Sequence, residues 1–502
     1  CGNWGRIGHD FVTITNVSFA YYLAIDSASN YAYLTNVTIV SQLFGIVNDL
    51  RLEAVETGYG DDTLRVNKFW MSNSTFEESS INQAHYYIYV SDLDNHNNAS
   101  TSDVYIYNST IKFYTASSDG YDFVFDVNTT GDIRIINSEI NATHFRTSKI
   151  ELEGSDIWIT NSTIWSGTKY TGDGCYSTSS FCYSSDLTSE LTLIGKDLEV
   201  SESILVSYSF APDLDSYWGY QLRIDNYMNL EGESVNISDS KLISTSYINR
   251  FDGGYTRRDI DTDIDINTSD FIIDNSTIRQ EVEDPVHLDS SNQLAIDFDI
   301  TVEGDIGITD SFVGLEDWTD NYGSLSFDFD LGHFSNSTIS SVPSGITGET
   351  VLYLTNTVVP DLTVSVNATA YYHNWLNAKI VLENGTPLSG VTLYTNFTNG
   401  TNYASPLTNS TGYRIYPVFY QTQTSSGIET IDKLIISPYK EGYLMSPFTI
   451  DPSDIDYSKE PVMTGNTIGY WSFNEGTGST AYDGSANDNH GDVYYAEWID
   501  VD

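Results

Sequence analysis

The chain has 502 residues, more than one compact core supports, so several domains or an elongated repeat array are expected. With 70 acidic residues against 21 basic ones the formal charge is −49, which excludes nucleic acid and anionic membrane surfaces as partners. The 37 Tyr and 22 Phe supply enough apolar mass for a folded chain, so the acidity points to solvated carboxylate faces rather than disorder, and no run of 18 apolar residues offers a membrane span.

The sequence opens at Cys1 without Met or a leader, as a processed product or an excerpt would. A short pattern soon appears and recurs with drift at 14–19, 34–39, 73–76, 104–111, 133–140, 157–164, 198–204, 235–242, 271–278, 306–312, 336–339 and 352–358. Its plainest forms are Val-Tyr-Ile-Tyr-Asn-Ser-Thr-Ile at 104–111 and Ile-Trp-Ile-Thr-Asn-Ser-Thr-Ile at 157–164. Apolar residues alternate, as on a half-buried strand, and Asn-Ser-Thr favours a bend because its short side chains bond their own backbone. Such a unit cannot bury its apolar face alone, so copies roughly 20 to 40 residues apart must stack. The expectation for 1–360 is a parallel β-helix about 55 Å long, with strands about 4.8 Å apart, and a β-sandwich is the alternative. Residues 114–122, 170–186 and 249–265 read as inserted loops. Because 10–19 already looks like a mature repeat, the first repeat is expected to lack a cap.

Cys175 and Cys182 lie close together in a Gly- and Ser-rich loop, which suggests a local disulfide. Sequons occur at Asn16, Asn36, Asn73, Asn98, Asn108, Asn128, Asn141, Asn161, Asn236, Asn267, Asn275, Asn336, Asn367, Asn384, Asn396, Asn399 and Asn409. That is about twice the number chance would give, and half belong to the repeat motif. Corners that face solvent would carry N-linked glycans, whereas asparagines turned inward would form a bare hydrogen-bonded ladder. Disulfide and sugars together place the protein outside the cell, on its surface.

Chemistry-bearing groups are sparse. The eight histidines, at positions 9, 85, 96, 144, 287, 333, 373 and 490, show no metal spacing, and no Gly-x-Ser-x-Gly follows a strand. Arg-Arg-Asp-Ile-Asp-Thr-Asp-Ile-Asp at 257–265 is the exception. Strand alternation puts Asp259, Asp261, Asp263 and Asp265 on one face about 6.6 Å apart, suited to sharing a calcium or to acid–base work on a polysaccharide. The plainer reading is a solvated strand face with Ile260, Ile264 and Ile266 turned inward.

After Pro360 the alternating runs lengthen, and Asn384-Gly385 signals a hairpin. The run Asn-Gly-Thr-Pro-Leu-Ser-Gly-Val at 384–391, followed by Asn-Ser-Thr-Gly-Tyr at 409–413, resembles the carboxypeptidase-regulatory-like family of immunoglobulin-type sandwiches. That resemblance implies a seven-stranded spacer over 361–464 rather than a catalyst. From residue 469, Gly-Tyr-Trp-Ser-Phe-Asn-Glu-Gly and then Asp-Gly-Ser-Ala-Asn-Asp-Asn-His-Gly look like the opening of a laminin-G or concanavalin A-like jelly roll. Only the start of one fits in 465–502, so this segment is expected to depend on contacts from beyond itself. Asp483, Ser485, Asn487 and Asn489 place oxygens at alternate positions and are the calcium candidates, with a plain turn as the alternative.

The first 360 residues resemble parallel β-helix proteins of archaeal cell surfaces. The expected function is a non-catalytic structural subunit of a filament, sheath, hook-type appendage or S-layer. Its partners would be copies of itself and N-linked glycans, with surface polysaccharide as a further candidate. A carbohydrate-binding adhesin, or a polysaccharide lyase or hydrolase, is the alternative.

Overall fold

A computed structural model describes residues 6–7, 11–19, 24–25, 31–43, 68–73, 75–80, 87–88, 103–115, 123–144, 147–169, 185–211, 221–248, 257–283, 293–317, 323–339, 344–346, 350–359, 362–382, 384–431, 433–443, 445–453, 462–465, 479–482 and 490–492. Among the described residues there is no helix; every regular element is a strand, and most pairing is parallel. None could therefore cross a membrane as a helix. The chain divides into two units, 1–351 with 357–368, and 352–356 with 369–502.

In the first unit each repeat contributes up to three strands, and each strand pairs in parallel with its equivalent one repeat away. One column runs through Phe123–Asn128, Thr147–Glu153 and Ser185–Ile194. A second runs through Asp103–Tyr107, Ile133–Ile136, Asp156–Thr160 and Asp197–Ser201. The third runs through Thr110–Thr115, Glu139–His144, Thr163–Lys169, Ile204–Ala211, Lys241–Ile248, Thr277–Glu283 and Phe312–Asp317. Longer strands, Gln221–Ser238 and Arg257–Asp274, serve the first two columns at once.

Register follows from the alternation in the sequence. Ile133 stands beside Ile157, Ile157 beside Leu198, Leu198 beside Val235, Val235 beside Phe271, and Phe271 beside Ile306, all essentially inaccessible to solvent. Burying each such side chain stabilises by roughly 1.5–3 kcal/mol, and a slip of one residue would turn the whole column outward. That penalty fixes the stack.

Hydroxyls also line the interior. Ser166 Oγ donates to Ser148 O at 3.0 Å, Ser189 Oγ to Ser166 O at 2.8 Å and Ser207 Oγ to Ser189 O at 3.2 Å. Asn226 continues the series by accepting from Ser209 at 3.0 Å, and Ser246 and Thr262 share a bond of 2.9 Å. Buried polar groups are tolerated because most find a partner on a facing strand of the same or the adjoining repeat.

The segment 249–265 is not wholly an insertion, because Arg257–Asp274 is one continuous strand in register with Gln221–Ser238. Likewise 114–115 end the strand Thr110–Thr115, and 185–186 open Ser185–Ile194. Alternating Asp and Ile at 259–266 satisfy strand periodicity, and the composition that suggested a loop reflects a polar outer face. Whether anything caps the first repeat falls on residues outside the described ones.

The second unit holds two sheets around one core. Thr369–Leu382 pairs antiparallel with Tyr413–Thr424, which pairs with Gly427–Thr430, and its far end pairs in parallel with Val462–Gly465. Asn402–Ala404, Thr392–Phe397, Leu434–Tyr439 and Phe448–Ile450 form the antiparallel second sheet. Leu376, Ala378 and Val418 from the first sheet meet Leu393, Leu434 and Ile436 from the second. The Asn384-Gly385 turn reverses the chain, with Gly385 at φ 81° and Leu382 N donating to Thr386 O at 2.8 Å. Within 465–502, Thr480–Ala481 pairs antiparallel with Gly491–Asp492.

Candidate functional site

The site is built on one recurring corner. Among the described residues, ten non-glycine residues have positive φ, between 45° and 51°: Asn73, Asn108, Asn137, Asn161, Glu202, Asp239, Asn275, Asp310, Asn336 and Asn356. L-residues pay for this left-handed conformation, Asn and Asp least. Nine are followed by Ser and the tenth, Asn356, by Thr357. Ser109, Ser138, Ser162, Ser203, Ser240, Ser276, Ser311 and Ser337 turn inward and are buried while the corner side chains before them stay outside.

Two ladders result. Inside, the N–H groups of Ser109, Ser138, Ser162, Ser203, Ser240 and Ser276 donate to the Oγ of Ser138, Ser162, Ser203, Ser240, Ser276 and Ser311 respectively, at 3.0–3.1 Å. Each Oγ returns its proton to the carbonyl two residues back, as Ser240 does to Ser238 at 2.6 Å. Outside, Asn108 Nδ2 donates to Asn73 Oδ1 at 2.6 Å, Asn161 Nδ2 to Asn137 Oδ1 at 2.8 Å, and Asn275 Nδ2 to Asp239 Oδ1 at 2.6 Å.

The ladder asparagines therefore do not point inward as the bare-ladder alternative required. Asn73, Asn108, Asn128, Asn161, Asn236, Asn267, Asn275, Asn336, Asn367, Asn384, Asn399 and Asn409 are exposed, and Asn141 and Asn396 are half-buried. Asn16 and Asn36 lie in strands whose side chains are outside the described residues, as are Asn98, the Cys175 and Cys182 pair, and Asp483, Ser485, Asn487 and Asn489.

In the second unit Asn396 lies in the strand Thr392–Phe397 and accepts from Asn402 Nδ2 at 3.0 Å, whereas the other three sequons share a different geometry. Asn384 Oδ1 accepts from Thr386 N at 3.0 Å, Asn399 Oδ1 from Thr401 N at 2.9 Å, and Asn409 Oδ1 from both Thr411 N and Tyr413 N at 3.0 Å. These are Asx turns, which occupy the amide oxygen and leave the nitrogen outward.

The aspartate strand forms the second feature. Ile260, Ile264 and Ile266 are buried, which puts Asp261, Asp263 and Asp265 on the outer face. Pairing then stacks Asp225 beside Asp261, Asp263 beside Asp297 and Asp265 beside Asp299. Burial first, then Asp261, Asp265 and Asp297, pushes the Asp263 carboxyl up to about 7. Burial followed by Asp299 and Asp297 raises Asp265 as well. Tyr227, beside Asp263, is pushed up to about 12, mainly by burial. Arg223, 2.9 Å from Asp225, brings opposite charge to this edge of the patch. Among the described residues no three His, Cys, Asp or Glu side chains are placed to hold a metal ion. What the patch can do is share protons.

An aromatic and cationic column stands on the outer face of the second strand position. Trp70 stacks on Tyr105 at 4.9 Å, and the Arg134 guanidinium lies 5.5 Å from the Tyr105 ring and 4.4 Å from that of Trp158. Sequence reading missed this column and the serine ladder, although Ser after nine of the ten described corner residues was the available signal for the ladder. No protein-family model, curated protein or solved structure matches this chain.

Proposed function

We propose that this protein is a non-catalytic structural subunit of a glycosylated extracellular cell-surface assembly such as a filament, sheath, hook-type appendage or S-layer. In this reading 1–360 form a three-faced parallel β-helix, 361–464 an immunoglobulin-like spacer, and 465–502 the start of a laminin-G-like module joined to neighbouring copies. The observation that carries it is the unbroken register from Phe11 to Ile339, in which each described second- and third-column strand is paired with the next repeat. A stack stabilised between neighbours can be long and stiff while presenting whole faces to partners.

Immunogold labelling of source cells with antibody to this chain, viewed by negative-stain microscopy, tests the proposal. Label along an ordered extracellular structure is expected; label inside the cell or on no ordered structure overturns it. Replacing Trp471 and Phe473, which lie outside the described residues, by Asp should abolish assembly while the stack stays folded. A polysaccharide-active enzyme is the second reading, favoured by one observation: Asp263 holds a proton near neutrality in a row of carboxylates. Turnover of an acidic polysaccharide that is lost in Asp263→Asn would establish it instead.

A further inference from the structure

The sequons of the first unit ask for two explanations at once, a sugar acceptor and a structural corner, and the repeats separate them. An acceptor needs Asn at its first position and Ser or Thr at its third, with the second free. The corner series shows the opposite constraint. Its second position is Ser at nine corners and Thr357 at the tenth, whereas its third is Thr75, Thr110, Thr163, Thr277 or Thr338 at five corners and Glu139, Ile204, Lys241, Phe312 or Val358 at the others. The first position accepts Asn, Asp or Glu, all held at positive φ.

The inner ladder explains the fixed second position, because each described Ser Oγ satisfies a buried N–H of the preceding repeat. Left-handed backbone explains the preference for Asn at the first. Nothing in the corner requires Thr at the third, which is where it varies. The motif is thus what a stacked corner needs, and its match to a sequon is incidental.

We propose that the corner sequons are architectural and bare, and that the turn asparagines Asn384, Asn399 and Asn409 are the acceptors of N-linked sugar. The proposal rests on the glycoprotein reading above and refines it. In the transfer, Nδ2 bonds to the anomeric carbon of the sugar while the bond from that carbon to the phosphate of a glycosyl phosphate donor breaks. The phosphate leaves with the bonding pair, and a base takes one amide proton. At Asn108, Asn161 and Asn275 that nitrogen already donates along the outer ladder. Asn73 and Asn108, both sequons, also stand one repeat apart, about 4.8 Å, which is too close for a sugar on each. At Asn384, Asn399 and Asn409 the oxygen is held by the turn, and Nδ2 has no partner among the described residues.

Mass spectrometry of intact glycopeptides from the full chain purified from its source cells tests the division. Sugar is expected on the peptides carrying Asn384, Asn399 and Asn409, and unmodified peptides are expected for Asn108, Asn161 and Asn275. Corner peptides occupied as fully as turn peptides overturn the division and leave the glycoprotein reading standing; no sugar at any sequon overturns the glycoprotein reading itself. Asn137→Gly and Asp239→Gly, which keep the left-handed corner but remove the ladder acceptors, separate the ladder from other causes. In variants whose circular dichroism and melting match the parent, sugar should appear on Asn161 and Asn275. If both stay bare there, the ladder does not protect them and the mechanism is wrong.

Discussion

The backbone N–H of Ser162 donates to the Oγ of Ser203, 3.0 Å away and one repeat further on, and that Oγ donates in turn to the carbonyl of Ser201 at 2.6 Å. Both serines are buried, so neither bond can be replaced by water. Ser203→Ala leaves the buried Ser162 N–H without that partner, while the Ser201 carbonyl keeps its bond from Asn161 N at 3.0 Å, and should destabilise the first unit by about 1–3 kcal/mol. Urea unfolding measures it. A loss below about 0.5 kcal/mol would mean the ladder follows the fold rather than holding it.

Glu202 occupies the left-handed corner at φ 50° where most repeats place Asn. Glu202→Asn should therefore stabilise the protein by up to about 1 kcal/mol, and Glu202→Val should destabilise it by about 1–3 kcal/mol. Asn at this position precedes Ser203 and Ile204, so no sequon arises and sugar cannot confound the comparison.

Asp263 carries a pKa raised to about 7 by burial and by Asp261, Asp265 and Asp297. A group whose folded pKa lies above its unfolded value near 4 binds its proton more tightly when folded. Its contribution to stability is fully present below about 4 and is lost as pH rises through about 7. The melting temperature should accordingly fall between pH 5 and pH 8, and Asp263→Asn should flatten that slope and raise the melting temperature at pH 8. An unchanged slope in the variant would show that Asp263 is not the titrating group. Asp126, raised to about 6 by burial and Glu151, adds to the same trend and is left in place as an internal control.

Gly412 closes the turn opened by Asn409 at φ 75°, and a Cβ there would run into the carbonyl oxygen of Ile380, whose N–H bonds to Gly412 O at 2.8 Å. Gly412→Ala should cost the second unit about 1–3 kcal/mol or more, combining the left-handed penalty with that contact. Gly385, also at positive φ but with open space around its Cβ position, should cost less on the same change. Equal losses would show that the close approach to Ile380 is not what matters.

What the sequence determined was local. Alternation in 133–136, 157–160 and 271–274 fixes which residues turn inward, and it foretold that Ile260, Ile264 and Ile266 would be buried beneath outward aspartates. Asn-Gly at 384–385 fixed a turn because glycine alone adopts its φ without cost. What only the tertiary structure decided was which residues stand side by side. Nothing near Asp263 in sequence indicates that Asp297 lies beside it, or that Arg134 follows Tyr105 and precedes Trp158 in a stack, because parallel register pairs residues 20 to 40 positions apart. The serine after nine of the ten described corners was legible as a letter and misleading as a residue type. Ser ordinarily marks a solvated bend, and only stacking gives its hydroxyl a buried N–H from the repeat before.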